Sequence, residues 1–174
     1  MAQRTRPQLA SAPNMAALKR LEVMTLLAEI LAASRVSAPE AVQFGKNDLI
    51  PFKSGIEAGA GAVMVCHNIV NAMDPSMPAS LSGPVNKLLR DELGFRGVVI
   101  TDDLIMDAIS TRYDDGEAAV LAVLAGNDML ITTWSDARYQ AILDAVAQGR
   151  ISPERIRQSA VRVLQWKMDL GLIE

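Results

Sequence analysis

The chain has 174 residues, with 17 Lys and Arg against 20 Asp and Glu, a formal net charge of -3 and a half-hydrophobic composition. That is enough for one globular domain with a sizeable core and too little for two of ordinary size. No run nears the ~18 uninterrupted apolar residues of a membrane span, and no stretch concentrates Lys and Arg as nucleic-acid binding requires.

Residues 1–14 mix Arg, Pro, Ser and Ala and read as a loose lead-in. Arg4 and Arg6 are followed by an apolar stretch broken by Lys19, Arg20, Glu22 and Glu29, which is no export signal and points to the cytoplasm. Leu18, Leu21, Met24, Leu27 and Leu31 recur at helical spacing and predict a helix over 15–33. Residues 34–46, with Pro39 and Gly45, read as irregular. Short apolar runs then alternate with helical patterns. The runs 62–66 (AVMVC), 97–101 (GVVIT) and 128–132 (DMLIT) are nearly continuous in apolar residues, as in parallel strands covered on both faces.

Helices are expected between and after them. Val85, Leu88, Leu89 and Leu93 form one stripe over 84–93, with Ser82 as cap and Gly94 as stop. Residues 116–125 form a second helix, stopped by Gly126, and 136–148 a third. The last begins at the cap Ser152, with Pro153 and Glu154 in its first turn, and ends near Leu170 at Gly171. The strands begin at residues 62, 97 and 128, hence 35 and 31 residues apart. A repeated strand–helix unit signals a parallel α/β fold. A doubly wound sheet and a (β/α)8 barrel compete, and a barrel's roughly 31 residues per unit mildly favours the latter. No strand is followed by a Gly-rich turn, and Asp102 and Asp103 would repel a phosphate.

Working residues of such folds cluster at the C-terminal ends of strands. Here these are His67–Asn68, Asp102–Asp103 and Thr133–Trp134. A carboxylate pair, an imidazole and an aromatic surface suit chemistry on a neutral sugar. Plainer roles compete at each position. Asp103 caps a helix starting near Leu104, His67 is a hydrogen-bonded structural histidine, Trp134 covers the rim, and Asp114–Asp115 is a solvated turn. Trp166 reads as packing and Cys66 as an inert core thiol. Asp102 is harder to dismiss, because a carboxylate ending a buried strand costs desolvation unless paired or used. The single Cys66 excludes an intrachain disulfide and a cysteine metal cage, and the single His67 closes any mechanism needing two histidines from this chain.

The stretch 94–106, GFRGVVITDDLIM, closely resembles the nucleophile segment of glycoside hydrolase family 3, in its β-N-acetylhexosaminidase branch. Residues 48–59 resemble the helix before that family's sixth barrel strand, 62–82 that strand and its loop, and 117–130 the approach to the eighth strand. The closing helix fits as well, so the resemblance spans about residues 46–172. It implies a TIM-like barrel that hydrolyses β-linked N-acetylglucosamine with retention of configuration, with no cofactor or metal. The nucleophile would be Asp102, the first Asp after the Ser or Thr ending the seventh strand. It would attack the anomeric carbon through an oxocarbenium-like transition state and form a glycosyl-enzyme. Asp103 and Met106 match the family's pattern in supporting roles, and His67 and Asn68 fall on the sugar-side lip after the sixth strand. Trp134 would stack on a sugar.

The resemblance also implies about five further β/α units, a Lys-His strand end that holds the sugar, and a His–Asp pair as general acid/base. Residues 1–45 match none of these. The chain is therefore expected to be a C-terminal part of such a barrel, partial and with three parallel strands plus an N-terminal helix. It carries the nucleophile without the acid/base and has little activity alone. A non-catalytic α/β binding module or decayed gene product is the competing reading. Three strands leave two open edges and one bare face, which must pair with another copy, lie under the 15–33 helix, or aggregate.

Overall fold

A computed structural model describes residues 49–133 and 135–174. The lead-in, the helix expected over 15–33 and Trp134 lie outside the described residues. Helix α1 (Ile50–Glu57) starts on a proline in its first turn, where the missing N–H costs nothing. Strand β1 (Ala62–Val65) follows. A long loop returns through a single 3-10 turn, Ala79–Leu81, into α2 (Gly83–Lys87), which widens into a π-helical turn over Leu88–Glu92. Strand β2 is Val98–Asp103, followed by the short α3 (Asp107–Ser110) and by α4 (Asp115–Ala125). Strand β3 (Met129–Ile131), α5 (Ser135–Ala147) and α6 (Pro153–Asp169) complete the order.

The three strands are parallel and adjacent in chain order, β1-β2-β3. Alternation sorts their side chains onto two faces. Val63, Val65 and Val99 pack with Phe52 of α1 and with Val85 and Leu89 of the α2 segment. Leu130 turns to the same side, under α4 and α5, where Ala119, Val120, Val123 and Ile142 meet. Fully buried valines such as Val65, Val98 and Val99 are each worth about 1.5–3 kcal/mol relative to exposure.

Ala62, Val98 and Ile100 point the other way, against Val163 and Trp166 of α6. The expected bare face is thus covered over its N-terminal half, and by the last helix. Helices lie on both sides of the sheet rather than on one. Trp166 packs as expected, and Gly61 permits it, because a Cβ there would collide with the indole. Gly97 likewise lets β2 start beside β1, since its Cβ would strike the Gly61 carbonyl oxygen.

Three local expectations change. Strand β2 runs two residues further than expected, so Asp102 and Asp103 belong to it. Ser82 stands at the N-cap position, but its hydroxyl donates to Asp74 Oδ2 (2.9 Å) and caps nothing. Asp115 is solvated as expected, but it opens α4 rather than lying in a turn and pairs with the buried Arg138 at 2.6 Å. The stop at Gly126 holds, with φ at +119°, a conformation that glycine adopts without strain. None of the described helices is long and apolar enough to cross a membrane.

Candidate active site

The C-terminal end of β2 is irregular. Ile100 pairs with Met129 and Asp103 with Ile131, so three steps along β2 oppose two along β3. That is a bulge, a feature that bends a strand and re-aims its side chains. The fully buried Thr101 fills the break, its Oγ1 accepting from the Ile131 N–H at 3.1 Å. Leu104 N–H then donates to the Ile131 carbonyl at 3.0 Å. The bulge lies between Ile100 and Asp103, the stretch that holds Thr101 and Asp102.

Asp102 is half-buried, and one of its carboxylate oxygens accepts from the Asp103 N–H at 2.8 Å. Asp103 is held at several points. Its carboxylate accepts from the Ile105 N–H (3.2 Å) and the Thr133 hydroxyl (3.4 Å). Its carbonyl accepts from the Met106 N–H (3.1 Å) and from His67 Nε2 (2.9 Å). A helix does not begin at Leu104; residues 104–106 turn first, and α3 starts at Asp107.

His67 is buried just beyond β1, and its Nδ1 lies 2.7 Å from Ser80 Oγ. Because a carbonyl can only accept, Nε2 carries the proton, and in the neutral ring Nδ1 accepts from the Ser80 hydroxyl. Both nitrogens are engaged within the protein. The loop bearing Ser80 is itself tied back: Ser80 N–H donates to the Cys66 carbonyl (3.0 Å) and Ala79 N–H to that of Asn68 (2.8 Å). Asn127, fully buried before β3, donates to the Ser80 carbonyl at 2.7 Å. His67, Asn68, Asp102, Asp103 and Met106 are thus all at one end of the sheet, with Met106 about half exposed and Asn68 half-buried. Among the described residues no group of His, Cys, Asp and Glu is arranged to hold a metal ion.

Sequence reasoning missed Ser80 and Asn127, and also the charge cluster at the opposite end. There the Asp128 side chain, fully buried, meets Arg90 (2.5 Å), Arg162 (3.0 Å) and Arg155 (3.5 Å). It also accepts from the Val99 N–H and the Ser159 hydroxyl. Burial holds Arg90 and Arg155 below the ordinary arginine value, against the attraction of Asp128 and with Arg162 adding repulsion. A signal was there: Arg155, Ser159 and Arg162 share one helix face at i, i+4, i+7.

The profile of the glycosyl hydrolase family 3 N terminal domain matches residues 32–166. A beta-N-acetylglucosaminidase/beta-glucosidase of Cellulomonas fimi is 30% identical over 135 residues, covering 71% of this chain and 24% of that protein. A beta-hexosaminidase of Xanthomonas campestris is 46% identical over 61 residues, 35% of this chain and 18% of that one. Among solved structures, a glycoside hydrolase family 3 beta-N-acetylglucosaminidase from Paenibacillus sp. superposes with a TM-score of 0.68 at 45% identity, over 71% of this chain and 25% of that one. The chain thus spans 18–25% of the length of these relatives. The parallel strands, the acidic end of β2 and a family profile lying over most of the sequence agree: the chain belongs to glycosyl hydrolase family 3.

Proposed function

We propose that Asp102 is the nucleophile of a retaining β-N-acetylhexosaminidase-type site acting on a β-linked N-acetylglucosamine-type saccharide. The observation that carries this is the placement of Asp102, half-buried at the bulged C-terminal end of the central strand with one oxygen engaged by a backbone N–H. Among the described residues no hydrogen bond engages its other oxygen, which is available to the anomeric carbon. Attack forms the Asp102–sugar ester as the bond to the aglycone breaks. The leaving oxygen needs a proton, and water then attacks the ester with help from a base. Asn68, Asp103 and Met106 line the sugar side in this proposal, and Trp134, outside the described residues, is assigned a sugar contact by it.

The His–Asp pair that the resemblance assigns to acid/base work has no counterpart here, since the one histidine is His67. This chain alone therefore turns over natural disaccharides negligibly. A dinitrophenol leaving group needs little acid assistance, and an ester with no base to activate water accumulates. Intact-mass analysis after incubation with dinitrophenyl N-acetyl-β-glucosaminide should show one sugar per chain, and none with Asp102→Ala. An adduct surviving that substitution, or no adduct on the native sequence, refutes the assignment of the nucleophile. The outer edges of β1 and β3 have no strand neighbour among the described residues. Homo-oligomerisation through them belongs to the same proposal, and a monomer by light scattering would reject it.

A further inference from the structure

We propose that His67, with Ser80 behind it, is a positioning residue that fixes where the Asp102 carboxylate points. Its catalytic consequence rests on the reading of Asp102 as nucleophile; the structural relay does not. The relay runs across all three β/α units. Asn127, before β3, holds the Ser80 backbone (2.7 Å). The Ser80 hydroxyl donates to His67 Nδ1 (2.7 Å), after β1. His67 Nε2–H donates to the Asp103 carbonyl (2.9 Å), at the end of β2. The Asp103 N–H in turn donates to Asp102 Oδ1 (2.8 Å).

A bulge is where this support is needed. The regular ladder to β3 is broken between Ile100 and Asp103 and resumes where the Leu104 N–H donates to the Ile131 carbonyl, so the bulged stretch before it leans on side-chain bonds as well. The β1–β2 register also ends early, at Val65 opposite Thr101. His67 replaces the missing ladder bonds with one side-chain bond from the β1 side, and Thr101 Oγ1 does so from the β3 side. The Ser80 hydroxyl also selects the tautomer. With Nδ1 accepting, the proton stays on Nε2, where the Asp103 carbonyl needs it. A packing role alone would require neither bond.

Because His67 is the chain's one histidine, its ring gives an unambiguous 15N NMR signal in the full chain. At mildly alkaline pH the native ring should be the Nε2–H tautomer, and Ser80→Ala should give a mixture. A native Nδ1–H tautomer, or a freely averaging ring, overturns the relay. Amide exchange reads the next link. His67→Ala leaves the Asp103 carbonyl without its side-chain donor, and the loosened Asp103–Leu104 peptide should speed exchange of the Leu104 N–H and of the neighbouring Asp103 N–H by about five- to tenfold, the scale of one lost hydrogen bond. Val98 to Ile100 should be unchanged. His67→Gln places an amide N–H where Nε2 stood and should restore protection, whereas His67→Asn, which reaches only the Nδ1 place, should not. Uniform loss along β2, or failure of Gln to outperform Ala, reduces His67 to packing. If His67→Ala does not fold, the Gln, Asn and Ser80→Ala comparison with the tautomer decides.

The dinitrophenyl glycoside adds the kinetic arm. His67→Ala should lower the maximal rate of adduct formation on the order of tenfold, from a misaimed carboxylate, without moving half-saturation. His67→Gln should recover most of it. An effect on half-saturation alone would make His67 a sugar contact and overturn the proposal. Should Asp102→Ala retain the adduct, the nucleophile reading falls, while tautomer and exchange still judge the relay.

Discussion

At the N-terminal end of the sheet Asp128 accepts from five donors, Arg90, Val99, Arg155, Ser159 and Arg162. At the C-terminal end Asp102 accepts from one among the described residues, the next residue's N–H. Both carboxylates flank apolar strands, and their difference follows from what each surrounding can do. A buried carboxylate ringed by guanidiniums is stable and inert, because every lone pair is taken and no ligand can reach it. A half-exposed carboxylate with an oxygen to spare loses that stabilisation and keeps its reactivity. In barrels of parallel strands the N-terminal end carries stability and the C-terminal end chemistry, and the two aspartates lie at those opposite ends.

The largest expected effect tests the inert end. Asp128→Ala leaves Arg90, Arg155 and Arg162 crowded around an empty position, with α6 no longer pinned to the start of β3. Breaking a buried pair in this way costs about 3–5 kcal/mol. Urea unfolding of the full chain should show a loss in that range. A loss below 1 kcal/mol would mean that Asp128 is no clamp, and the contrast with Asp102 would disappear. Next comes the cap of the helix that carries two of those arginines. Ser152 Oγ accepts from the Arg155 N–H at 3.1 Å. Ser152→Ala should cost about 1 kcal/mol, and no loss of stability would show that α6 is held by its charge cluster alone.

The stability end was the less legible one. The apolar runs place all three strands within two residues, and the strand-end rule alone brings Asp102, Asp103, His67 and Asn68 to one end. Strand identity is a local property of a sequence, and so are the glycine stops at Gly94, Gly126 and Gly171. The bulge is not local. It depends on which β3 residues face β2, Met129 and Ile131, and nothing within VVITDD announces it. Nor does a helix sequence say which face of a sheet it will cover. Helix α6 chose the Ala62–Val98–Ile100 face because Asp128 receives Arg155 and Arg162 there and Gly61 leaves room for Trp166. The same reasoning explains Ser82. Its position marks a helix start, but the hydroxyl is claimed by Asp74, a partner eight residues back across a loop.

That Asp74 supplies a smaller effect, at the site end. Hydrogen bonds from the Ser76 and Ser82 hydroxyls hold its carboxyl below the ordinary value of 3.8. A carboxyl lowered on folding adds stability that is fully present above its unfolded value and is lost as pH falls through the folded one. Asp74→Asn should therefore make the acid limb of stability against pH shallower below about pH 4. Near neutrality it should leave only the cost of the altered hydrogen bonds. The carboxyl is only half-buried and screened by solvent, so the change is small, a few tenths of a kcal/mol. An unchanged acid limb would show that these serine bonds do not couple to folding.

A change in stability of no fixed sign belongs to Asp102 itself, and it is the most informative beside Asp128. Asp102→Ala removes one acceptor and leaves the Asp103 N–H without it, at a strand end where water can take the place. It also removes the desolvation cost of a half-buried carboxylate that no cation pairs among the described residues. The two contributions oppose each other, so urea unfolding should move by less than about 1 kcal/mol in either direction. The sugar adduct should vanish completely. A residue whose removal abolishes chemistry and spares the fold is one whose charge the fold does not use. A loss of 2 kcal/mol or more would instead place Asp102 beside Asp128 among the structural carboxylates, and the chemistry assigned to the C-terminal end of β2 would need another group.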